Sequence, residues 1–174
     1  MIFDALRHIS RFVFLVLLQV VVMNNISLGS GLIVCFIYPL FIIMLPLRTQ
    51  GWVALVIAAL LGLIIDTFDN TLGMHASAAV AMAYFRMVIL KWISPREGYD
   101  PTQKPTIQSM GSNWFMSYAI PLVVIHHIWV FNLENFQFDF FFRTQVRVIL
   151  SSIVTLGMVY LSQYLLYQVR ERRR

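Results

Sequence analysis

Two groups of ionisable side chains could do chemistry in this sequence. Asp66, Asp69 and His75 lie close together, and His126 and His127 are adjacent. Carboxylates and imidazoles are side chains that exchange protons and ligate metals. Neighbouring residues of a helix point about 100° apart, so the two adjacent histidines do not chelate one ion as an i, i+4 pair does. We therefore predict no metal site and no cofactor, with one of these histidines facing other helices and the other facing an interface.

The spacing of the acidic residues also argues against catalysis. An intramembrane aspartyl protease needs two buried carboxylates from two helices, whereas Asp66 and Asp69 fall on one segment. The sequence has no glycine-rich phosphate loop, Ser/His/Asp set or Cys-x-x-Cys pair. Cys35 is the single cysteine and is predicted to be a small buried hydrophobe. The chain is therefore predicted not to be an enzyme.

The composition requires a solvent other than water for most side chains. Of the 174 residues, 59% are hydrophobic and only 12% are charged, against roughly a quarter charged in soluble domains. The net charge of +5 comes from basic residues at the ends of apolar runs. That placement is typical of membrane orientation signals rather than of nucleic-acid binding. We expect an integral membrane protein with no nucleic-acid partner.

The apolar runs predict an all-α fold with about six transmembrane helices in a single domain, residues 1–174. A span needs about 20 apolar residues, and proline inside a span produces a kink. Pro39 lies inside the second run. The predicted spans cover about 9–23, 31–47, 51–68, 74–92, 114–131 and 146–169, with one long loop at 94–113 and a basic tail at 170–174.

The distribution of lysine and arginine predicts that both termini are cytoplasmic. With that orientation, eleven basic residues lie inside, Arg86 among them, and only Arg143 and Arg147 lie outside. Positive charge is retained on the cytoplasmic side of membrane proteins. An even number of spans keeps the basic tail inside, which agrees with six.

A row of small residues predicts which face of the third span meets another helix. Small residues recur every four positions and end at an acid: Ala54, Ala58, Gly62 and Asp66. Residues at this spacing share one helix face, and small side chains let membrane helices approach closely. The fourth span offers matching alanines at positions 76, 79 and 83. We predict a tight hairpin, with Asn70 and Gly73 in left-handed conformations at its turn.

Two alternatives remain for Asp66 at this stage. It caps the turn and pairs with a neighbour, for which His75, Arg143 and Arg147 are candidates, or it binds a partner or ligand, as acidic residues near membranes often do. Gln19, inside the first span, is expected to hydrogen-bond another helix because its amide needs a partner in lipid.

The residues around Asp66 also resemble a known family. Residues 62–76 combine a Gly-Leu-x-x-Asp helix end with a Leu-Gly-hydrophobic-His turn, and this resembles the signature of MreD, the rod shape-determining membrane protein. Residues 93–99 (Ile-Ser-Pro-Arg-Glu-Gly-Tyr) resemble the Bacteroidota branch of that family, as do His126-His127 with residues 131–134. The early Leu-x-Gln ending at Gln19 is also similar.

The resemblance implies a function and partners. It implies a non-enzymatic, multi-pass component of the bacterial cytoplasmic (inner) membrane, within the machinery that elongates the cell wall. The implied partners are MreC, MreB, and the glycosyltransferase RodA with its transpeptidase. Partner-binding or structural roles are then expected for residues of the motif and its surroundings: Gly62, Asp66, Gly73, His75, Ala54, Ala58, Gln19, His126 and His127.

One alternative belongs to a different functional class. The substrate-binding subunits of vitamin importers of the energy-coupling-factor type also have about six helices and small-residue motifs, and MreD resembles them in architecture. Such a subunit needs polar groups that converge on a pocket. The candidates in this sequence are Asp66, His75, His126 and Asn132. The motif at residues 62–76 and the loop at 93–99 favour MreD.

Overall fold

The computed structural model describes residues 2–26, 32–100, 103–135 and 141–171. Within these ranges the fold is all-α, as predicted. The helices are α1 (Ile2–Leu17), α2 (Leu40–Ile43), α3 (Gly51–Asp69), α4 (Met74–Trp92), α5 (Ile107–Met110), α6 (Ser112–Glu134) and α7 (Phe141–Glu171). One π-helical turn, Leu18–Val22, and one 3-10 turn, Met23–Asn25, extend α1.

Four helices in the described ranges are long and apolar enough to cross a membrane. They are Leu6–Asn25, Gly51–Asp69, Ser112–Glu134 and Phe141–Leu165. Their outward faces carry large apolar side chains such as Leu60 on α3 and Ile153 on α7, which soluble proteins do not expose in such density. These helices identify the chain as a membrane protein.

The hairpin of α3 and α4 forms as the small residues predict. Ala54 and Ala58 are fully buried, and so are Ala79 and Ala83 on the facing helix. The chain reverses through Asn70 and Gly73, whose φ angles of 57° and 79° are both left-handed. Asn and Gly tolerate this conformation better than other residues, so the turn and the small faces together specify the hairpin.

The remaining helices continue the antiparallel order. Near the start of α4, Ser77 accepts a hydrogen bond from Trp129 of α6, and near its end Arg86 donates to Tyr118. The end of α6 in turn meets the start of α7, where Arg147 and Glu134 form an ion pair at 2.8 Å.

The first helix ends beside the turn between α3 and α4. Asn24, just beyond α1, donates a hydrogen bond to Asp69 at the end of α3. We call the end that holds residues 70–73 the hairpin end. Because α1 leads to Asn24 at the hairpin end, its start lies at the opposite end. Because α3, α4, α6 and α7 alternate in direction, the end of α7 lies there as well.

The second predicted span is not a continuous helix. Among the described residues of 31–47, only Leu40–Ile43 are α-helical. Residues 32–37, which we call the core segment, are non-helical, although Phe36 and Ile37 are buried. An apolar run of this length does not by itself distinguish a spanning helix from buried non-helical chain.

Hydrogen bonds to side chains satisfy backbone polar groups of the core segment inside the bundle. Along an extended chain, alternate residues direct their backbone groups to opposite edges. On one edge the N–H groups of Val34 and Phe36 donate to Ser151 and Thr155 of α7, at 3.0 and 3.2 Å. On the other edge Gln19 accepts from the Ile37 N–H at 2.7 Å, and its amide nitrogen lies 3.4 Å from the Cys35 carbonyl oxygen.

The spacing of Ser151 and Thr155 on α7 matches the spacing of the backbone N–H groups that donate to them. Two strand residues advance about 6.6 Å, and four helix residues advance about 6 Å. Ser151 and Thr155 are four apart on α7 and therefore match Val34 and Phe36, which are two apart. Backbone N–H groups buried in apolar surroundings require such partners, so the helix supplies what a neighbouring strand would supply in a sheet.

Gly62 gives the first testable prediction, because a side chain there would strike backbone. A Cβ at Gly62 would lie 2.6 Å from the Ala76 nitrogen and the His75 oxygen. Gly62→Ala is therefore expected to lower the free energy of unfolding by about 1–3 kcal/mol, as overpacking does. Thermal unfolding of the purified protein in detergent measures this loss.

The matched control is Gly157 of α7, around which no atom lies within 4 Å of an added Cβ. Gly157→Ala is expected to leave the unfolding midpoint unchanged or to raise stability by up to about 1 kcal/mol, because alanine favours helix. Equal midpoints for the two variants would contradict the close approach of α3 to α4.

Candidate functional site

Three buried rings form a hydrogen-bonded chain at the centre of the bundle. The hydroxyl of Tyr38 lies 3.0 Å from Nδ1 of His75 and 2.5 Å from Nε2 of His126. All three side chains are almost completely buried. Tyr38 follows the core segment, whereas the histidines come from α4 and α6, so the phenol joins three elements that are distant in sequence.

The chain continues from His75 to the surface. His75 Nε2 lies 3.4 Å from Oδ2 of Asp69, and Asp69 accepts a hydrogen bond from Asn24. Asn24, an exposed residue, accepts in turn from Gln19 at 2.8 Å. A continuous polar path therefore runs from the hairpin end to His126.

The partners fix which atoms carry the hydrogens. Asp69 as a carboxylate only accepts, so His75 carries its hydrogen on Nε2 and leaves Nδ1 as an acceptor. Tyr38 donates to that Nδ1 and accepts from the N–H at His126 Nε2. The remaining nitrogen, His126 Nδ1, is buried without a hydrogen-bond partner. In this neutral arrangement it is an unprotonated acceptor.

His127 belongs to a separate set of contacts. Its Nδ1 donates to the Val123 carbonyl at 2.8 Å, and its Nε2 accepts from Thr155, 3.2 Å away. Both His126 and His127 are 0% exposed, so the expectation that one of them faces an interface is wrong. Tyr38 contacts His126 and Thr155 contacts His127, so each ring has its own buried partner.

An aromatic side chain packs among the histidines. The Phe36 ring centroid lies 5.2 Å from that of His75, 5.6 Å from His126 and 5.4 Å from His127. An apolar ring in this position occupies the space between the imidazoles. Within the described ranges, no group of three His, Cys, Asp or Glu side chains is arranged to hold a metal ion.

Asp66 acts as a cap supplied by another helix. Its two carboxylate oxygens accept hydrogen bonds from the backbone N–H groups of His75 at 3.0 Å and Ala76 at 2.9 Å, in the first turn of α4. Thr71 donates to the same carboxylate at 2.5 Å. A helix N-terminus has unsatisfied N–H groups and a partial positive charge, and a carboxylate there meets both.

This geometry decides between the partners considered for Asp66. It caps the hairpin and contacts the backbone of His75, whereas Arg147 pairs with Glu134 and lies 4.5 Å from the centroid of the Phe131 ring. Arg143 is exposed at the start of α7. Gln19 also differs from expectation, because it holds the core segment rather than another helix.

Arg86 is the functional candidate that sequence reasoning missed. The charge distribution predicts that Arg86 lies on the cytoplasmic side, but its side chain is 1% exposed inside the bundle. It donates to the carbonyls of Leu45 at 2.8 Å and Pro46 at 2.9 Å, and to the Tyr118 hydroxyl at 2.8 Å. Its position within α4, two turns before the helix ends, was the available signal, since a charge there must find partners.

Tyr118 completes the arrangement around Arg86. Its hydroxyl accepts from Arg86 and donates to the Ile43 carbonyl at 3.0 Å. The carbonyls of Ile43 and Leu45 both belong to the end of α2 or the chain just after it. Tyr38 begins the stretch of residues that leads through α2. Arg86 and Tyr118 therefore bind the far end of that stretch, at the end of the bundle opposite the hairpin.

No protein-family model matches the chain, and neither the curated proteins nor the solved structures contain a match. Function is therefore inferred from the residues of the chain and their geometry. These comprise two buried polar centres, one around Tyr38 and one around Arg86, together with the capped hairpin of α3 and α4.

Proposed function

We propose that this protein is a non-enzymatic component of the bacterial cell-wall elongation machinery, similar to MreD. The observation that supports the proposal most is the geometry of residues 62–76, the stretch that resembles the family signature. Gly62 permits the close approach of α4, Asp66 caps α4, and Gly73 makes the turn. His75 anchors Tyr38. These four motif residues thus each help to form the hairpin or to anchor Tyr38.

The proposal includes a topology of six crossings with both termini in the cytoplasm. Four helices are apolar and long enough to span, and α4 is as long as its partner α3, at 19 residues each. The sixth crossing is the core segment with α2, which leads past the Tyr38 site at the centre of the bundle towards Arg86, at the end opposite the hairpin. The basic residues favour the cytoplasm for the end opposite the hairpin.

The buried polar groups favour a scaffold over a vitamin-binding subunit. A binding pocket needs polar groups that are free to contact a ligand. Asp66 is occupied by backbone N–H groups of α4, and His75 and His126 are bonded to Tyr38. Asn132 donates to the Ile128 carbonyl and accepts from Gln145. These groups hold the bundle together, and the importer remains the second candidate.

A scaffold of this kind acts through its outer surfaces. Leu72 at the tip of the hairpin is fully exposed, and Phe68 beside it is exposed as well. Exposed apolar residues at a membrane surface are available to partner proteins. In this proposal MreC, RodA and its transpeptidase contact the membrane-embedded and outer faces, while the basic cytoplasmic ends contact MreB or anionic lipid.

Co-purification with MreC and cell shape after depletion test the proposal together. A tagged copy is expected to recover MreC from detergent-solubilised membranes, and depletion is expected to turn rod-shaped cells into spheres. The importer would be favoured if depleted cells stay rods and the purified protein carries a tightly held vitamin. Rods without MreC recovery and without a vitamin would overturn both candidates.

A further inference from the structure

We propose that the chain of Asp69, His75, Tyr38 and His126 is a proton-binding site that holds the core segment when neutral and loosens it when protonated. The inference does not depend on a role in cell-wall synthesis. It rests on the hydrogen-bond geometry of four side chains and on their connection to residues 32–37.

The hydrogen bonds of the site account for each of its hydrogens. In the neutral arrangement the N–H of His126 donates to Tyr38, the phenol donates to His75, and His75 donates to Asp69. Each of these hydrogens has one acceptor, and each acceptor has one hydrogen. The three bonds are therefore complete, and the acceptor left free among these groups is the buried His126 Nδ1.

An added proton has two nitrogens to which it can bind, one on each histidine. If it binds Nδ1 of His75, that nitrogen turns from acceptor to donor, and the Tyr38 hydrogen loses its acceptor because His126 Nε2 already carries a hydrogen. If it binds Nδ1 of His126, the new N–H has no acceptor, since that atom is buried without a partner. In both cases a buried donor is left unsatisfied, which is unfavourable.

Asp69 connects the buried rings to water, and charged groups surround His75. Asp69 is 17% exposed and contacts the exposed Asn24, so a proton from water can enter the chain at the hairpin end. Several charged or titratable groups also face His75 and its partners from the elements packed around them: Asp66 and Asp69 on α3, Tyr38 after the core segment, Glu134, His126 and His127 on α6, and Arg147 of α7 beside Glu134. Burial opposes a positive charge on His75, and the carboxylates of Asp66, Asp69 and Glu134 counteract that effect of burial.

The buried rings are linked to the core segment through Tyr38 and Gln19. Tyr38 is joined directly to Ile37, whose N–H is held by Gln19. Gln19 is itself bonded to Asn24, and Asn24 to Asp69. Protonation therefore disturbs the core segment through the Tyr38 hydroxyl. Where Asp69 takes part, protonation also disturbs the segment through the hydrogen bonds of Asn24 and Gln19. The expected response is faster exposure of the backbone at residues 32–38.

Hydrogen exchange of the full-length protein in lipid nanodiscs tests this inference. Amide exchange of residues 32–38, corrected for the intrinsic effect of pH, is compared at pH 8 and pH 5, which bracket the ordinary titration range of histidine. We expect protection to fall by about tenfold at pH 5, the equivalent of one lost hydrogen bond. Amides in the middle of α3 serve as the internal reference and are expected not to change.

Variants without titratable rings make the test specific. His75→Asn places an amide oxygen where Nδ1 accepts, and His126→Gln places an amide N–H where Nε2 donates. The double variant is expected to keep the segment protected at both pH values. His127→Gln, outside the chain, is expected to retain the response to pH.

Three outcomes would overturn the inference. These are an unchanged wild-type protein at pH 5, a response that persists in the double variant, and a response that vanishes in His127→Gln. If the double variant does not fold, Tyr38→Phe replaces it. This variant removes both phenol bonds, so fast exchange at pH 8 that acid does not increase further supports the site, and slow exchange at pH 8 refutes it.

Discussion

Arg86→Leu is expected to remove most of the folded protein from the membrane. The substitution deletes the donors that satisfy the Leu45 and Pro46 carbonyls and the Tyr118 hydroxyl. The Leu45 carbonyl and the Tyr118 hydroxyl are buried. Each buried polar group left without its partner costs about 1–3 kcal/mol, and a typical native protein is stable by only about 5–15 kcal/mol. The amount of monodisperse protein recovered in detergent measures the effect.

Two further variants distinguish the fork of Arg86 from its charge alone. Arg86→Lys keeps a positive charge but not the planar guanidinium that reaches three acceptors, so an intermediate yield is expected. Lys91→Leu removes an exposed charge from the last turn of the same helix and is expected to leave the yield unchanged. A normal yield of Arg86→Leu would show that the buried contacts are dispensable.

Asp66→Leu is expected to have the second largest effect, through the start of α4. The N–H groups of His75 and Ala76 lose their acceptors, and Thr71 loses its own. Removing an ordinary N-cap costs about 0.5–2 kcal/mol, and two buried donors raise that cost to about 2–6 kcal/mol. A large fall in the unfolding midpoint in detergent is expected, together with weaker recovery of MreC from cells.

The comparison with Asp66→Asn isolates the charge. Asparagine keeps one acceptor but loses the second oxygen and the favourable interaction with the helix dipole, which is about 0.3–2 kcal/mol, so its midpoint is expected between those of wild type and Asp66→Leu. Thr67→Leu, on the exposed side of α3, loses only a bond to its own helix and provides the control. Equal midpoints for Asp66→Leu and Thr67→Leu would refute the capping role.

The sequence predicted the hairpin well because its determinants are local. The small row that includes Ala58 and Gly62 has helical spacing, and Asn70 and Gly73 are the residue types that accept left-handed angles. Asp66 follows on the same face, so its burial was expected, although its exact backbone partners were not. Short-range patterns carry this information without any knowledge of the rest of the bundle.

The core segment and the Tyr38 site could not be predicted in the same way. The apolar run at 31–47 satisfies the criteria for a span, and nothing within it reveals that its backbone is bonded elsewhere. The signal lay more than 100 positions away in Ser151 and Thr155, which look like ordinary small polar residues of a membrane helix. Which histidine meets Tyr38 is likewise decided by packing between distant elements.

The arrangement of the core segment has a consequence for how the protein is made. A ribosome delivers Gln19 first and α7 last, yet residues 32–37 need hydrogen bonds from both. Until α7 enters the membrane, the N–H groups of Val34 and Phe36 have no acceptor from that helix. Nascent chains that end before residue 141 should therefore remain substrates of quality-control proteases, and insertion of α7 completes the hydrogen bonding of the core segment.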